Sequence, residues 1–320
     1  MSEECLGVSS RGVLERDALV AGLQALIKGR TRPTYAVDLP DPVLIGATFR
    51  FLSMALSDGS LDSTTAVDLR SWVMLFCREG GLRGSGGFIP DGLIEGTVAV
   101  VPVEARKPHG TARERILSAT EVTIAERGYR ATTVAGIVRA AGVSRRAFYD
   151  EFASKIQAVV TALERGVQEL LTACTVAFFG PGSWPERVWA TGDAFARALA
   201  SDPAFSRLAL VEGYALGPGF RRRVYQTLRA FSLFLEEGYR QPRSGRPPPS
   251  RVCSTLTAVA VMELCFLAGR NNVSSNIRQV QPLGVYIALT PFIDADAAAE
   301  LVRRKLGRAR RPENTPVVDV

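Results

Sequence analysis

The segment of this chain that most constrains its fold is 133–152, TVAGIVRAAGVSRRAFYDEF. Its pattern predicts two short helices joined by a tight turn. Thr133 and Ser144 each stand where an N-cap hydroxyl would accept a hydrogen bond from the free N–H groups of a first helical turn. Gly142 lies between the two helices, where the reversal of the chain needs a residue that tolerates a positive φ.

Apolar residues recur at helical spacing in both predicted helices, which indicates that each helix buries one face. The early polar positions of the second helix, Arg145, Arg146 and Tyr149, are not all needed for that core. The pattern therefore predicts a helix-turn-helix unit whose second helix presents a basic edge to a DNA groove.

The flanking residues extend this unit in both directions. Thr111 and Glu114 have the spacing of a capping box, and the helix that they open should end at 128–129. Ser154 and Lys155 open another helix with a cation at its start, against the preference of the helix dipole for anions there. This placement indicates that Lys155 has another partner, such as a phosphate.

Residues 109–169, with these motifs in this order, closely resemble the DNA-binding domain of the tetracycline-repressor (TetR) family. The resemblance implies a DNA-binding transcriptional regulator, most often a repressor that a small effector releases. Since Arg suits the edge of guanine and Ala the methyl group of thymine, we expect base contacts from the start of the recognition helix and phosphate contacts around it. The predicted DNA-contacting residues are Thr133, Ser144, Arg145, Arg146, Ala147, Tyr149 and Lys155.

The residues that follow predict an almost entirely helical domain, with helices at about 155–179, 184–200, 202–214, 250–268, 280–292 and 294–306, and a further helix that starts at 217–218 and continues through 235. The resemblance implies that this domain holds a small-molecule pocket, and that 252–269 and 281–292 form a four-helix bundle with a second subunit. Aromatic residues that could line the pocket, or could simply pack in the core, are Phe178, Trp189, Phe195, Tyr214 and Tyr225.

Charge and residue types favour a nucleic-acid partner and argue against an enzyme. The net charge is +7, and 106–155 carry ten Lys or Arg against five Asp or Glu. The single histidine, His109, lies in a predicted loop, and the five cysteines show no Cys-x-x-Cys spacing, so we expect no catalytic site, no metal and no cofactor. The acidic start is unlike a signal peptide, and the apolar segment 252–268 contains Glu263, so we expect a cytoplasmic protein that does not enter a membrane.

The N-terminal part matches the chain's own C-terminal helix pair. Residues 43–59 align with 253–269 without a gap, and 69–75 align with 283–289, which places Trp72 on Tyr286. The matching pair carries too much apolar surface to remain in water and should dock on its counterpart at 252–292. Two arrangements remain open: docking within one chain, as a pseudo-dimeric monomer, or packing beside the interface of a homodimer, which we favour because most oligomers are two-fold.

The sequence thus predicts an all-α chain with a three-helix helix-turn-helix domain, a helical-bundle domain for ligand binding and dimerisation, and an N-terminal helical extension. Its expected partners are a palindromic double-stranded DNA operator, a small apolar effector and a second copy. One rival is a helical ligand-binding or interaction protein with a degenerate DNA reader, and another is a helical enzyme with a bound cofactor. The expected segments are the extension 1–79, a linker 80–108, the DNA-binding domain 109–169, the second domain 170–306 and a basic, disordered tail 307–320.

Overall fold

A computed structural model gives the fold of most of the chain, and the statements below concern the residues that it describes. These are 41–57, 59–60, 62–76, 110–242, 248–269, 273–293 and 295–309.

The described residues form α-helices and two 3-10 segments and contain no β-strand, which confirms the all-α prediction. The 3-10 segments are Glu212–Leu216 and Leu233–Arg240. The helices are α1 (Asp41–Ser57), α2 (Ser63–Leu75), α3 (Ala112–Ala131), α4 (Val134–Ala141), α5 (Arg145–Glu151), α6 (Lys155–Phe178), α7 (Trp184–Ser201), α8 (Pro203–Leu210), α9 (Pro218–Ser232), α10 (Cys253–Gly269), α11 (Val273–Leu289) and α12 (Ala295–Ala309).

Helices α3, α4 and α5 form the three-helix unit, and α6 leads out of it into the second domain. The capping box of Thr111 and Glu114 opens α3, as the sequence predicts. The helical backbone of α3 breaks at Gly128, whose φ is 78°, so the predicted end at 128–129 is confirmed although the last turn continues to Ala131.

The second domain is built around α10 and α11. Helix α10 is apolar on all sides and buried along almost its whole length, because α9 and α11 cover part of it and α1 and α2 cover another part. Helix α11 packs between α7 and α10 and is covered further by α12. A helix that is hydrophobic all round belongs in a core, so this position accounts for the composition of 252–268.

Three predicted boundaries differ from the structure. The helix expected to run to about 214 ends at Leu210, and a 3-10 segment continues it. Helix α11 begins at Val273 rather than near 280 and contains Pro282, since packing on both sides holds a helix that proline alone would disfavour. Helix α12 extends to Ala309, into the region expected to be a disordered tail.

The N-terminal helices α1 and α2 pack against α10 of the same chain. Their docking surface is α10, one of the two helices that the internal sequence match indicates, and the contact lies within one chain. The association of two such chains, which the sequence analysis favours, remains a prediction. The linker 80–108 and the tail beyond 309 lie outside the described residues. None of the helices in the described ranges combines the length and apolar character needed to cross a bilayer.

Candidate DNA-binding surface and ligand cavities

The turn between α4 and α5 has the geometry that its residues predict. The hydroxyl of Thr133 accepts a hydrogen bond from the Gly136 N–H at 3.1 Å, and the hydroxyl of Ser144 accepts one from the Ala147 N–H at 3.0 Å. Gly142 ends α4 with φ 61° and ψ 39°, in the left-handed region. The two helices are therefore each capped, and the reversal between them depends on the glycine.

The inner face of α5 is fixed by aromatic packing. Phe148 and Phe152 are fully buried, with their ring centroids 5.9 Å apart. The guanidinium of Arg113 lies 4.7 Å from the Phe152 ring centroid and donates to the Glu151 carboxylate at 3.2 Å. Glu151 is thus engaged by an arginine of α3, and α5 is held in one orientation against α3.

The outer face of α5 is open. Arg145 and Arg146 are exposed and form no ion pair with another residue of the described ranges. Tyr149 is 47% exposed, and the Arg145 guanidinium lies 5.8 Å from its ring centroid. Two unpaired guanidinium groups therefore project from the first turn of a capped helix, with an exposed aromatic hydroxyl beside them. This arrangement suits contacts to base edges and phosphates.

Lys155 has partners within the protein. Its ammonium group donates to the carbonyl oxygens of Tyr129 at 2.9 Å and Thr132 at 2.8 Å, and it lies 4.1 Å from the Tyr129 ring centroid. Partial burial lowers the pKa of this amine below its usual value. The unusual cation at the start of α6 thus stabilises the C-terminal end of α3, which a positive charge favours. Its contact with a DNA phosphate remains a prediction.

An ion pair between a buried carboxylate and a partly exposed arginine joins α3 to α6, and sequence reasoning missed it. One terminal nitrogen of Arg165 donates to both carboxylate oxygens of Glu121 at 2.9 Å. Burial raises the pKa of Glu121 to about 7, while the charge of Arg165 opposes this shift and that of Asp202 adds to it. A second link is the Glu212 carboxylate, which accepts a hydrogen bond from the Tyr129 N–H at 3.1 Å. The DNA-binding unit is therefore joined to the second domain by polar contacts as well as packing.

An apolar cavity of about 110 Å³ lies between α6, α7, α9, α10 and α11. None of its lining residues is charged, and its aromatic residues are Phe195, Phe231 and Phe234. Its wall includes two thiols, Cys174 and Cys265, and burial raises the pKa of each to about 12. Both thiols are therefore neutral and contribute apolar surface to the cavity.

One polar group in this cavity has no partner. The side-chain nitrogen of Gln281 is buried, and no described residue lies within hydrogen-bonding distance of it. The other polar side chain, Thr191, already donates to the Arg187 carbonyl oxygen at 2.8 Å. An unsatisfied amide in an apolar cavity is costly, so the Gln281 amide is the group that a bound molecule would meet.

A second cavity of about 250 Å³ lies beside the first, between α6, α8 and α9. The two cavities share Phe195, Phe231 and Met262 in their walls. The second cavity also includes the ion-paired side chains of Glu164 and Arg223, which are half exposed. Charged groups thus border only the second cavity.

Of the five aromatic residues predicted for an effector pocket, the structure places Phe195 in the walls of both cavities. Phe178 is buried against Phe179 and Phe234, and Trp189 lines neither cavity. The Tyr225 hydroxyl donates to Ser53 of α1 at 3.2 Å. The side chain of Tyr214 lies outside the described residues. Phe231 of α9 and Phe234 of the following 3-10 segment, which sequence reasoning did not select, also line the first cavity. The Phe231 ring packs against that of Phe195 in α7, with centroids 5.4 Å apart.

The described residues contain no cluster of three or more His, Cys, Asp or Glu that could hold a metal ion. His109 lies outside the described residues.

Comparisons with known proteins match the helix-turn-helix part of the chain to one family. Residues 116–158 match the family model described as bacterial regulatory proteins, tetR family. No curated protein sequence matches the chain.

Several solved structures align with the chain. A bacterial regulatory protein of the tetR family from Rhodococcus RHA1 is 22% identical, with a TM-score of 0.47, and the match covers 58% of this chain and 99% of that chain. The transcriptional regulator FadR from Bacillus subtilis, solved in complex with stearoyl-CoA, is 17% identical, with coverages of 59% and 96% and a TM-score of 0.43. A TerR/AcrR family transcriptional regulator from Aquifex aeolicus VF5 is 18% identical, with coverages of 62% and 99% and a TM-score of 0.40.

Proposed function

We propose that this chain, a transcriptional regulator of the tetR family of bacterial regulatory proteins, represses transcription from a double-stranded DNA operator until an apolar, uncharged effector releases it. The observation that carries the proposal is the pair of exposed, unpaired guanidinium groups of Arg145 and Arg146 on the first turn of a capped and rigidly packed helix. The setting is the cytoplasm, where a regulator meets its DNA.

We assign recognition of the base sequence to the N-terminal end of α5. A guanidinium group can donate two hydrogen bonds to guanine in the major groove, and such a pair discriminates by about 1–3 kcal/mol. We assign this role to Arg145 and Arg146, and contact with a thymine methyl group to Ala147. Thr133 and Tyr149 are exposed beside α5 and would bind phosphates, which position the protein on DNA without specifying sequence.

The operator is expected to be palindromic. One three-helix unit covers one half-site, so two copies would occupy two half-sites about one helical turn, or a multiple of it, apart. We therefore propose that two chains act together on DNA, whether or not they associate in its absence.

The test is operator binding by two matched arginine variants. Footprinting on the DNA next to the gene would define the site. Arg146→Ala should then relax base preference by about ten-fold or more, while Arg222→Ala, which removes an exposed arginine of α9, should leave affinity and preference unchanged. A folded Arg145→Ala/Arg146→Ala protein with unchanged operator affinity would remove the assignment. A different outcome is that the native chain binds a ligand and shows no salt-dependent binding to DNA. That result would favour the alternative function, a ligand-binding protein whose helix-turn-helix unit is degenerate and does not bind DNA.

The first cavity supports an effector without a charge. Since none of its lining residues is charged, an ion there would lose its hydration without gaining a counter-ion. A neutral molecule with an apolar body and one polar group could bury the first part against Phe195, Phe231 and Phe234 and hydrogen-bond the second to the amide of Gln281.

Helix α6 connects this cavity to the helix-turn-helix unit. It runs without interruption from Lys155, which binds the end of α3, to Cys174 in the cavity wall. A ligand that prefers one position of α6 shifts the population towards that position, and its effect on DNA affinity is limited to its differential affinity, commonly about 1–3 kcal/mol.

The effector proposal is tested with neutral apolar compounds, each matched with its carboxylate analogue. We expect neutral members to raise the thermal midpoint and to release operator DNA, and their carboxylates to do so more weakly. Gln281→Leu should weaken the active compound by about five- to ten-fold, whereas Gln226→Leu on the exposed side of α9 should not. Compounds that stabilise the protein but never alter operator binding would instead indicate an effector-independent regulator.

A further inference from the structure

The contact between α1 and α10 is centred on a buried ion pair. The Nε and Nη2 atoms of Arg50 donate to one carboxylate oxygen of Glu263 at 3.0 and 2.7 Å. Glu263 is fully buried, Arg50 is 8% exposed, and the Arg50 guanidinium lies 5.6 Å from the Phe266 ring centroid. A buried charge without a counter-ion is strongly destabilising, and α1 supplies Glu263 with such a cation in Arg50.

The same carboxylate also requires a small residue on α1. A Cβ atom on Gly46 would lie 2.4 Å from Oε1 of Glu263 and less than 3 Å from two of its carbons. A side chain there would push Glu263 out of its position beside Arg50. Glycine therefore permits the close approach of α1 to α10.

Helix α2 adds a second anchored contact. Trp72 is 1% exposed, and its indole N–H donates to the Thr257 hydroxyl of α10 at 3.1 Å. Its ring packs against that of Phe76, with centroids 4.9 Å apart. A buried indole needs such a partner, so α2 is also positioned by α10.

Helix α1 docks on the helix that it resembles, but it differs at the two positions that meet Glu263. In the gapless alignment of 43–59 with 253–269, Gly46 corresponds to Leu256 and Arg50 to Ala260. If a second copy's α10 replaced α1 in the same register, it would present a leucine where the close approach needs glycine. It would also present an alanine where Arg50 provides a cation to Glu263. The face of α10 that meets α1 is therefore better matched by α1 than by another α10 in the same register.

We propose that α1 and α2 act as a built-in substitute for a second subunit. They fill the outer face of α10 within their own chain and close that face to pairing with another copy. The buried ion pair makes this contact specific, because Arg50 stabilises the docking of α1 on α10. An α10 helix from another chain carries alanine at the corresponding position and would not form this ion pair. Two chains on one operator would consequently contact each other through surfaces other than this face.

Charge reversal in the full-length chain tests whether α1 docks on α10. It also shows whether this docking occurs within one chain or between two chains. Arg50→Glu and Glu263→Arg should each lower the thermal midpoint by about 5 °C or more, and the double reversal should recover at least half of that loss. Arg70→Glu, on the exposed side of α2, is the matched control and should have no effect. Co-expression of the two single reversals should give no recovery, because the pair forms within one chain.

Recovery on co-expression would overturn the proposal, since α1 would then dock on α10 of another chain. Single reversals that behave like Arg70→Glu would overturn it as well, because the contact would then be absent in solution.

A second variant tests whether α1 keeps α10 from pairing with another chain. It does so without placing a reversed charge in the protein interior. Gly46→Leu with Arg50→Ala gives α1 the residues that α10 carries at these two positions. Without DNA, light scattering should show a native chain of about 34.5 kDa, and the variant should unfold at a lower temperature and associate through its uncovered α10. A variant mass below the native mass would mean that α1 joins two chains, and unchanged mass and unfolding would mean that α1 leaves the face uncovered; either result overturns the proposal.

Discussion

The ammonium nitrogen of Lys155 lies 2.8 Å from the carbonyl oxygen of Thr132, and this hydrogen bond ties the first residue of α6 to the end of α3. Its second bond, to Tyr129, closes the same helix end. The residue that the sequence assigns to DNA phosphate therefore also determines how α6 leaves the DNA-binding unit.

Replacement of Lys155 by alanine should have two separable effects. Loss of the two carbonyl contacts should lower the free energy of unfolding by about 1–2 kcal/mol, which denaturant titration would measure. If Lys155 also meets a phosphate, all DNA sequences should bind more weakly by similar factors, and the slope of log K against log salt should fall by about one. An unchanged salt slope with lowered stability would leave Lys155 a purely structural role.

The two glycines of the helix-turn-helix should respond to alanine with opposite signs. Gly142 has a positive φ that alanine rarely adopts, so Gly142→Ala should destabilise the protein by about 1–2 kcal/mol. Gly136 lies in α4 without a positive φ and has only ordinary van der Waals neighbours, so Gly136→Ala should stabilise it by about 0.5–1 kcal/mol. Thermal unfolding of both variants checks the difference, and a stable Gly142→Ala protein would contradict the turn geometry.

The junction between α3 and α6 should depend on pH through Glu121. Burial raises the pKa of Glu121 to about 7, above its usual value of 4.5, so the folded state binds the proton more tightly than the unfolded state. The contribution of this group is therefore favourable below about 4.5 and is lost as pH rises through about 7, a change of up to about 3 kcal/mol.

Glu121→Gln keeps the shape of the side chain and removes the titration. Its stability should show a flatter slope between about pH 5 and 7 than that of the native protein, in urea titrations at matched ionic strength. Glu186→Gln is the comparison, because hydrogen bonds from Ser183 lower the pKa of that exposed carboxylate. Identical slopes for native and Glu121→Gln proteins would show that Arg165 keeps Glu121 ionised throughout this range.

The cavity thiols should resist modification in the folded protein. Burial raises the pKa of Cys174 and Cys265 to about 12, so neither forms the reactive thiolate near neutral pH. Iodoacetamide at pH 8 followed by peptide mass mapping should leave both unmodified in buffer and modify both in urea. Rapid labelling of either residue in the native state would show that the cavity opens to solvent.

Local chemistry in the sequence determined most of the DNA-binding unit. The hydroxyl caps at Thr133 and Ser144 and the left-handed glycine at 142 act within a few residues of themselves, so their roles could be recognised without knowledge of the fold. The exposed edge formed by Arg145 and Arg146 followed from the same pattern. The internal match of α1 to α10 also indicated where the N-terminal helices would dock.

Contacts between distant parts of the chain were decided only by tertiary structure. Arg165 and Glu121 are 44 residues apart, and Arg50 and Glu263 are 213 apart. No local pattern pairs such residues, because their meeting depends on how whole helices cross. The cavity shows the same limit: aromatic composition suggested a pocket, but the packing of α7, α9 and the 3-10 segment Leu233–Arg240 selected Phe195, Phe231 and Phe234 as part of its wall. Burial then changed the chemistry of Glu121 and Cys174, since desolvation acts on a group only once the fold has removed it from water.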